Sequence, residues 1–222
     1  MNYSNYIQNL IEQSHTSIED LAQSLELTVP AIKKILAGNV KHPSTQTIEK
    51  LAEIKHVSSL DIVQEIYCNI PTLDDGLTEQ EINFITTSQR YICYLYLNGY
   101  NVDFNISFTT LDNAQIIFPG MATKKREPNN KILIDSFTAR SLIYDNKPKI
   151  EYDNLIDFLS PLFLIDKINT FKRVDIVTGS DFKNIIPFIN VFKSHPLPLK
   201  FKLNIIHFDS TAGKVLDTIS LT

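Results

Sequence analysis

The chain has 222 residues, 43% apolar and 21% charged, with a formal net charge of −4. This is the profile of a globular chain long enough for two domains, and it excludes extensive disorder. Net acidity argues against a protein that coats nucleic acid wholesale, and no apolar run approaches the ~18–20 residues that cross a bilayer. The opening MNYSNYIQNLIEQ is too polar for a signal peptide, so neither secretion nor membrane insertion is expected. Two cysteines, Cys68 and Cys93, lack CxxC spacing, which excludes a disulfide framework or a cysteine-rich zinc site and fits a reducing cytoplasm.

Residues 1–68 read as short helices with compact breaks. Ile7, Leu10 and Ile11 have the i, i+3, i+4 spacing of an amphipathic helix. Thr16 or Ser17 can cap a second helix, with Glu19 and Asp20 in its first turn and Ile18, Leu21, Ala22 and Leu25 facing inward. Thr28 can cap a third, where Pro30 is tolerated because first-turn amides have no intrahelical partner, and Gly38 stops it. Ser44 or Thr45 starts a fourth helix with Ile48, Leu51 and Ile54; Ser58 or Ser59 starts a fifth with Leu60, Ile62 and Val63. Five lysines stand against eight acids here, yet Lys33, Lys34 and Lys41 fall within nine positions, followed by His42.

Residues 69–77 combine Pro71, Asp74, Asp75 and Gly76, the composition of a linker. Thr78 and Glu81 have capping-box spacing, and the helix behind them runs to Asn98-Gly99, a left-handed cap. Beyond it, VDFNISF (102–108), AQIIF (114–118) and KILIDSF (131–137) read as strands, with PGMATKKREPNN as a polar loop between the last two. An apolar helix over 153–168 is split or kinked at Pro161. A buried strand at 173–179 follows, then a helix interrupted at Pro187, then FKLNIIHF (201–208) and KVLDTISL (214–221) as a hairpin. The expected fold is therefore two domains: an all-α five-helix domain over 1–68, then an α/β domain with a mixed sheet over 78–222.

From Ser17 to Val63 the chain resembles the Cro/C1-type, or XRE, helix-turn-helix family. The matched residues are Leu21-Ala22, Ile32, Gly38, Pro43-Ser44, Leu51-Ala52 and Val57-Ser58; Glu26 stands where the family usually has glycine at its tight turn. The resemblance implies that the third helix enters the major groove of double-stranded DNA. By position, Thr28, Val29, Pro30, Ala31, Lys33 and Lys34 form its reading surface, while Asn39, Lys41, His42 and Ser44 hold phosphates. Val29, Pro30 and Ala31 offer only apolar contact to thymine methyls, so polar readout rests on Lys33 and Lys34. For Val29 and Pro30 the alternative is turn-building, and for His42 a plain loop role.

The order helix, three strands, helix, strand is similar to the restriction-endonuclease-like, PD-(D/E)XK, core. Active members carry an acid on the second strand and an acidic-x-Lys triplet on the third, to hold Mg²⁺. Here the triplet position reads Asp135-Ser136-Phe137, without lysine, and Asp112 only precedes the second strand. A metal nuclease using Asp112 and Asp135 is thus the rival expectation and an inactive site the main one; Lys131 and Arg140 are the nearest substitute cations. His195 and His207 lack metal-ligand spacing, Thr178-Gly179-Ser180 is too short for a phosphate loop, and Tyr91, Tyr94 and Tyr96 suit packing. The linker offers no Ala-Gly or Cys-Gly bond for phage-repressor self-cleavage. Lys124, Lys125 and Arg126 fit either a solvated tip or a second DNA arm.

The functional expectation is a cytoplasmic, sequence-specific repressor acting as a homodimer on double-stranded DNA. It needs no cofactor, metal or catalytic residue, and its second domain serves dimerisation or sensing of an effector. A phage- or plasmid-encoded inhibitor that regulates its own promoter is the third expectation.

Overall fold

Side-chain caps delimit the first five helices in the computed structural model. It describes residues 2–68, 72, 76, 79–109, 115–136, 171–179, 182–194 and 199–222. The chain divides into two compact units, Met1–Asn69 and Ile70–Thr222. In the first, α1 (Tyr3–Ser14), α2 (Ile18–Ser24), α3 (Val29–Leu36), α4 (Thr45–Lys55) and α5 (Ser59–Tyr67) follow one another. Asn2, Ser17, Thr28, Ser44 and Ser58 each accept a backbone N–H three residues on, which satisfies one orphan donor per helix. Ser58 and Asp61 close a reciprocal capping box. Ile7, Leu25, Ile32, Ile48, Leu51, Ile62, Val63 and Ile66 form the core, each no more than 1% exposed.

The second unit begins with α6 (Glu79–Leu97), which ends as expected at Gly99, with φ +83°. The strands are β1 (Tyr100–Thr109), β2 (Gln115–Lys124), β3 (Glu127–Ser136), β4 (Arg173–Thr178), β5 (Lys202–Asp209) and β6 (Lys214–Ser220), with α7 (Phe182–Ser194) between β4 and β5. Among the described residues they form one six-stranded mixed sheet in sequential order. β1, β2 and β3 form an antiparallel meander, β3, β4 and β5 run parallel, and β6 returns antiparallel. The parallel centre is buried on both faces, which explains continuous apolar runs such as VDIV and NIIHF.

Tyr91, Ile92 and Leu95 of α6 cover one face, against Ala122, Ile132, Ile134, Val177, Ile206 and Phe208. Ile185, Ile189 and Phe192 of α7 cover the other, against Leu133, Val174, Ile176, Leu203 and Ile205. Asp175 lies wholly buried at the α6 face. The Tyr91 hydroxyl donates to its Oδ2 at 2.9 Å, Arg173 Nη2 to the same oxygen at 2.8 Å, and Asn204 Nδ2 to Oδ1 at 3.2 Å. One carboxylate thereby joins α6, β4 and β5. Burial still holds its proton affinity above the ordinary carboxylate value, against the lowering influence of Arg173, Tyr91 and Asn204.

Two sequence expectations need correction. PGMATKKREPNN is not a loop: β2 runs to Lys124, β3 starts at Glu127, and only Lys125-Arg126 turn. Pro119 falls where the β1–β2 ladder is interrupted opposite Asn105, whose φ is +52°, so the N–H that proline lacks is not needed for pairing there. Gly120 serves close approach rather than turning. Nor does Pro187 interrupt its helix, since α7 is continuous and the proline, its sixth residue, removes only an early backbone bond. The expected linker apart from Thr72 and Gly76, the helix over 153–168, and Asp112, Phe137, Arg140 and His195 lie outside the described residues, as do Thr78 and the Glu81 side chain of the expected capping box.

Candidate nucleic-acid interface

The turn between α2 and α3 sets how α3 is presented. Leu27 N–H donates to Ala22 C=O at 2.8 Å and Glu26 N–H to Gln23 C=O at 3.1 Å, a Schellman pair with Glu26 in the left-handed region at φ +54°. Glutamate thus takes the backbone for which glycine is the usual choice, at a steric cost of about 1–2 kcal/mol. Its side chain is held from α4, with Lys50 Nζ 2.9 Å from Oε1 and Gln46 Nε2 3.5 Å from Oε2. Hydrogen bonding to Glu26 and then Glu53 raises the Lys50 pKa. The sequence marks Glu26 as unusual but not Lys50 or Gln46, which lie more than a helix away along the chain.

On α3, Ile32 and Ile35 point into the core, and Pro30, Lys33 and Lys34 are exposed. At 100° per residue these three share one stripe with Ala37, while Val29 and Ala31 sit half-buried at its flanks. The structure therefore brings Pro30, Lys33 and Lys34 together as a surface and leaves Val29 and Ala31 partly occupied by packing. Thr28 is exposed at the N-cap, its Oγ1 accepting from Ala31 N–H at 3.3 Å. Lys33 and Lys34 lie in the last turn, where cations also suit the helix dipole.

The segment from α3 to α4 carries the expected phosphate holders. Gly38, with φ +73°, closes a second Schellman turn, and Asn39, Lys41 and His42 behind it are exposed. His42 Nδ1 lies 2.9 Å from the Tyr67 hydroxyl at the end of α5, a tie across 25 residues with no sequence signal. Ser44 Oγ accepts from Thr47 N–H at 3.1 Å as the α4 cap, so its hydroxyl is already engaged. Lys41 and His42 also border a groove of about 380 Å³ against Asn2, Ser4 and Tyr67.

In the second unit, Asp135 is half-buried near the end of β3, and burial pushes its carboxyl up to about 7 although Ser136 N–H donates to Oδ1 at 2.8 Å. Among the described residues no three His, Cys, Asp or Glu side chains converge to hold a metal. The His207 ring stacks on Phe182 at 4.4 Å between centroids, and Tyr91 and Tyr94 pack on Phe208. Thr178 is buried, and Gly179 backs onto Thr87 of α6.

Residues 7–59, from α1 to the start of α5, match the helix-turn-helix family model. No curated protein and no solved structure matches the chain.

Proposed function

Because the N-terminal unit is a helix-turn-helix DNA-binding domain, we propose that the protein is a sequence-specific transcriptional repressor, working as a homodimer on double-stranded DNA in the cytoplasm. The observation that carries this reading is the exposed stripe of Pro30, Lys33 and Lys34 on α3, behind a turn held in its left-handed conformation. Such a helix fits the major groove with its side chains at base edges and its flanks at phosphates. Homodimerisation follows from energetics: one short helix makes few base contacts, and pairing two half-sites multiplies affinity. The sheet-bearing unit then supplies the dimer contact or the response to an effector.

The test is the double variant Lys33→Ala, Lys34→Ala. Both side chains are exposed, so its thermal melt should match the parent. Operator affinity should fall by about 1–3 kcal/mol for each base-reading side chain removed, and discrimination at the matching position should relax. Parental affinity and discrimination would place the reading surface elsewhere.

We read the sheet-bearing unit as non-catalytic. A carboxyl with its pKa near 7 is a poor standing anion for fixing a cation, and the sequence has Phe137 where an active triplet has lysine. Incubation with supercoiled, linear and single-stranded DNA in Mg²⁺, and separately in Mn²⁺, should leave each intact. Cleavage abolished by Asp135→Ala would overturn this reading in favour of a DNA-targeted nuclease.

A further inference from the structure

The sheet gathers cations at one end that the sequence scatters. Lys131 sits within β3 just before its parallel pairing with β4 begins at Ile132, Lys172 directly precedes β4, and Lys202 opens β5, so all three stand where the parallel part of the sheet starts. Their backbones are joined directly, Lys172 N–H donating to Lys131 C=O and Lys202 N–H to Lys172 C=O, each at 3.1 Å. Adjacent strands lie about 4.8 Å apart, so three lysine positions from different parts of the chain become neighbours. By strand alternation Lys131 and Lys172 fall on the α7 face and Lys202 on the α6 face, so the row straddles the end of the sheet. The β2–β3 turn projects from the same end and adds Lys124, Lys125 and Arg126, all exposed.

Among the described residues few acids offset the charge at this end. Asp175 is engaged by Arg173, and the other acids placed there by register are Glu127, opposite Lys124, and the exposed Asp103 on β1, opposite Met121. None of these six cations makes an ion pair with a described residue. Among the described residues the opposite end mixes Arg90, Lys183 and Lys214 with the acids Asp209 and Asp217. Charge is therefore segregated along the strand direction, although the whole chain is acidic. Among the described residues of this unit, the large exposed apolar side chains Ile117, Ile186 and Leu216 lie towards the opposite end. A membrane surface or a protein partner would ask for apolar contact beside the charge, whereas a phosphate backbone asks only for exposed ammonium and guanidinium groups.

We infer that the leading end of the sheet is a second DNA-binding surface, taking backbone phosphates of duplex DNA without reading sequence. The inference builds on the proposed function only in choosing DNA as the polyanion. Its role is to add affinity and salt dependence to a helix-turn-helix unit whose own cations are few.

The experiment measures affinity of the full chain for operator and for unrelated duplex over a salt series. Two variants are used: Lys125→Gln with Arg126→Gln at the hairpin turn, and Lys172→Gln with Lys202→Gln on the row. All four side chains are exposed, and a matched thermal melt checks each fold. Each phosphate released from the protein removes about 0.9 from the slope of log K against log salt, so each variant should lower that slope by roughly 2. Operator and unrelated duplex should weaken by the same factor, leaving their ratio unchanged. The Lys33→Ala, Lys34→Ala protein separates the two readings, because it changes that ratio if α3 reads sequence and keeps the sheet-end salt dependence whether or not α3 does. Unchanged slopes in both sheet variants would overturn the inference. So would unchanged DNA slopes together with abolished binding to vesicles of anionic lipid, which would assign the surface to a membrane instead.

Discussion

Arg173→Met should destabilise the sheet-bearing unit by about 3–5 kcal/mol, the usual consequence of removing one partner from a buried ion pair. Asp175 is wholly buried, and Arg173 meets it twice, with Nη2 2.8 Å from Oδ2 and Nε 2.8 Å from Oδ1. Methionine keeps much of the packing volume and none of the charge. Tyr91 and Asn204 would remain as donors, but two neutral hydrogen bonds do not replace a guanidinium beside a buried carboxylate. Exchange of the β4 and β5 amides in denaturant series reports on this unit alone. The double variant Arg173→Met, Asp175→Leu should recover part of the stability, because removing both charges removes the desolvation penalty but leaves the Tyr91 hydroxyl and the Asn204 amide without their acceptor. A single variant as stable as the parent would show that Asp175 does not depend on Arg173.

Gly120→Ala should cost about 3 kcal/mol, the upper part of the ordinary range for overpacking. A Cβ built there meets the backbone oxygen of Asp103 at 2.5 Å and Ile92 Cδ1 at 2.8 Å. The side chain of Ile92 can rotate away, but the Asp103 carbonyl belongs to the paired strand β1. Gly179→Ala is the internal comparison, since its Cβ would meet Thr87 Oγ1 at 3.2 Å, a clash that a side chain can relieve. Gly120→Ala should therefore melt well below Gly179→Ala. Equal melts would mean that β1 and β2 separate there without penalty.

Gly120 also shows where sequence reading reaches its limit. In Pro119-Gly120 the residues that signal a turn stand inside a strand, one at an interruption of the ladder and the other beneath α6. Local composition cannot distinguish these uses, so the polar stretch reads as a loop. The first unit is far more legible because each helix announces itself with a serine, threonine or asparagine cap and an apolar stripe within ten or so residues. Glu26 is readable as a departure, and its left-handed φ follows from the turn it must make; the Lys50 ion pair that accompanies it is not. The α3 stripe follows from periodicity alone, since Ile32 and Ile35 inside leave Lys33 and Lys34 outside. Asp175 with Tyr91, and Lys131 with Lys172 and Lys202, come together only through strand register, which one sequence does not specify.

The central claim is that α3 reads DNA sequence, and selection from a random duplex library by the purified full chain tests it most directly. The expected result is enrichment of one motif with twofold symmetry, its half-sites about 10 base pairs apart, centre to centre. The Lys33→Ala, Lys34→Ala protein should fail to enrich that motif while still retaining duplex in low salt. Absence of any enriched sequence, or the same motif enriched equally by the double variant, would contradict the claim.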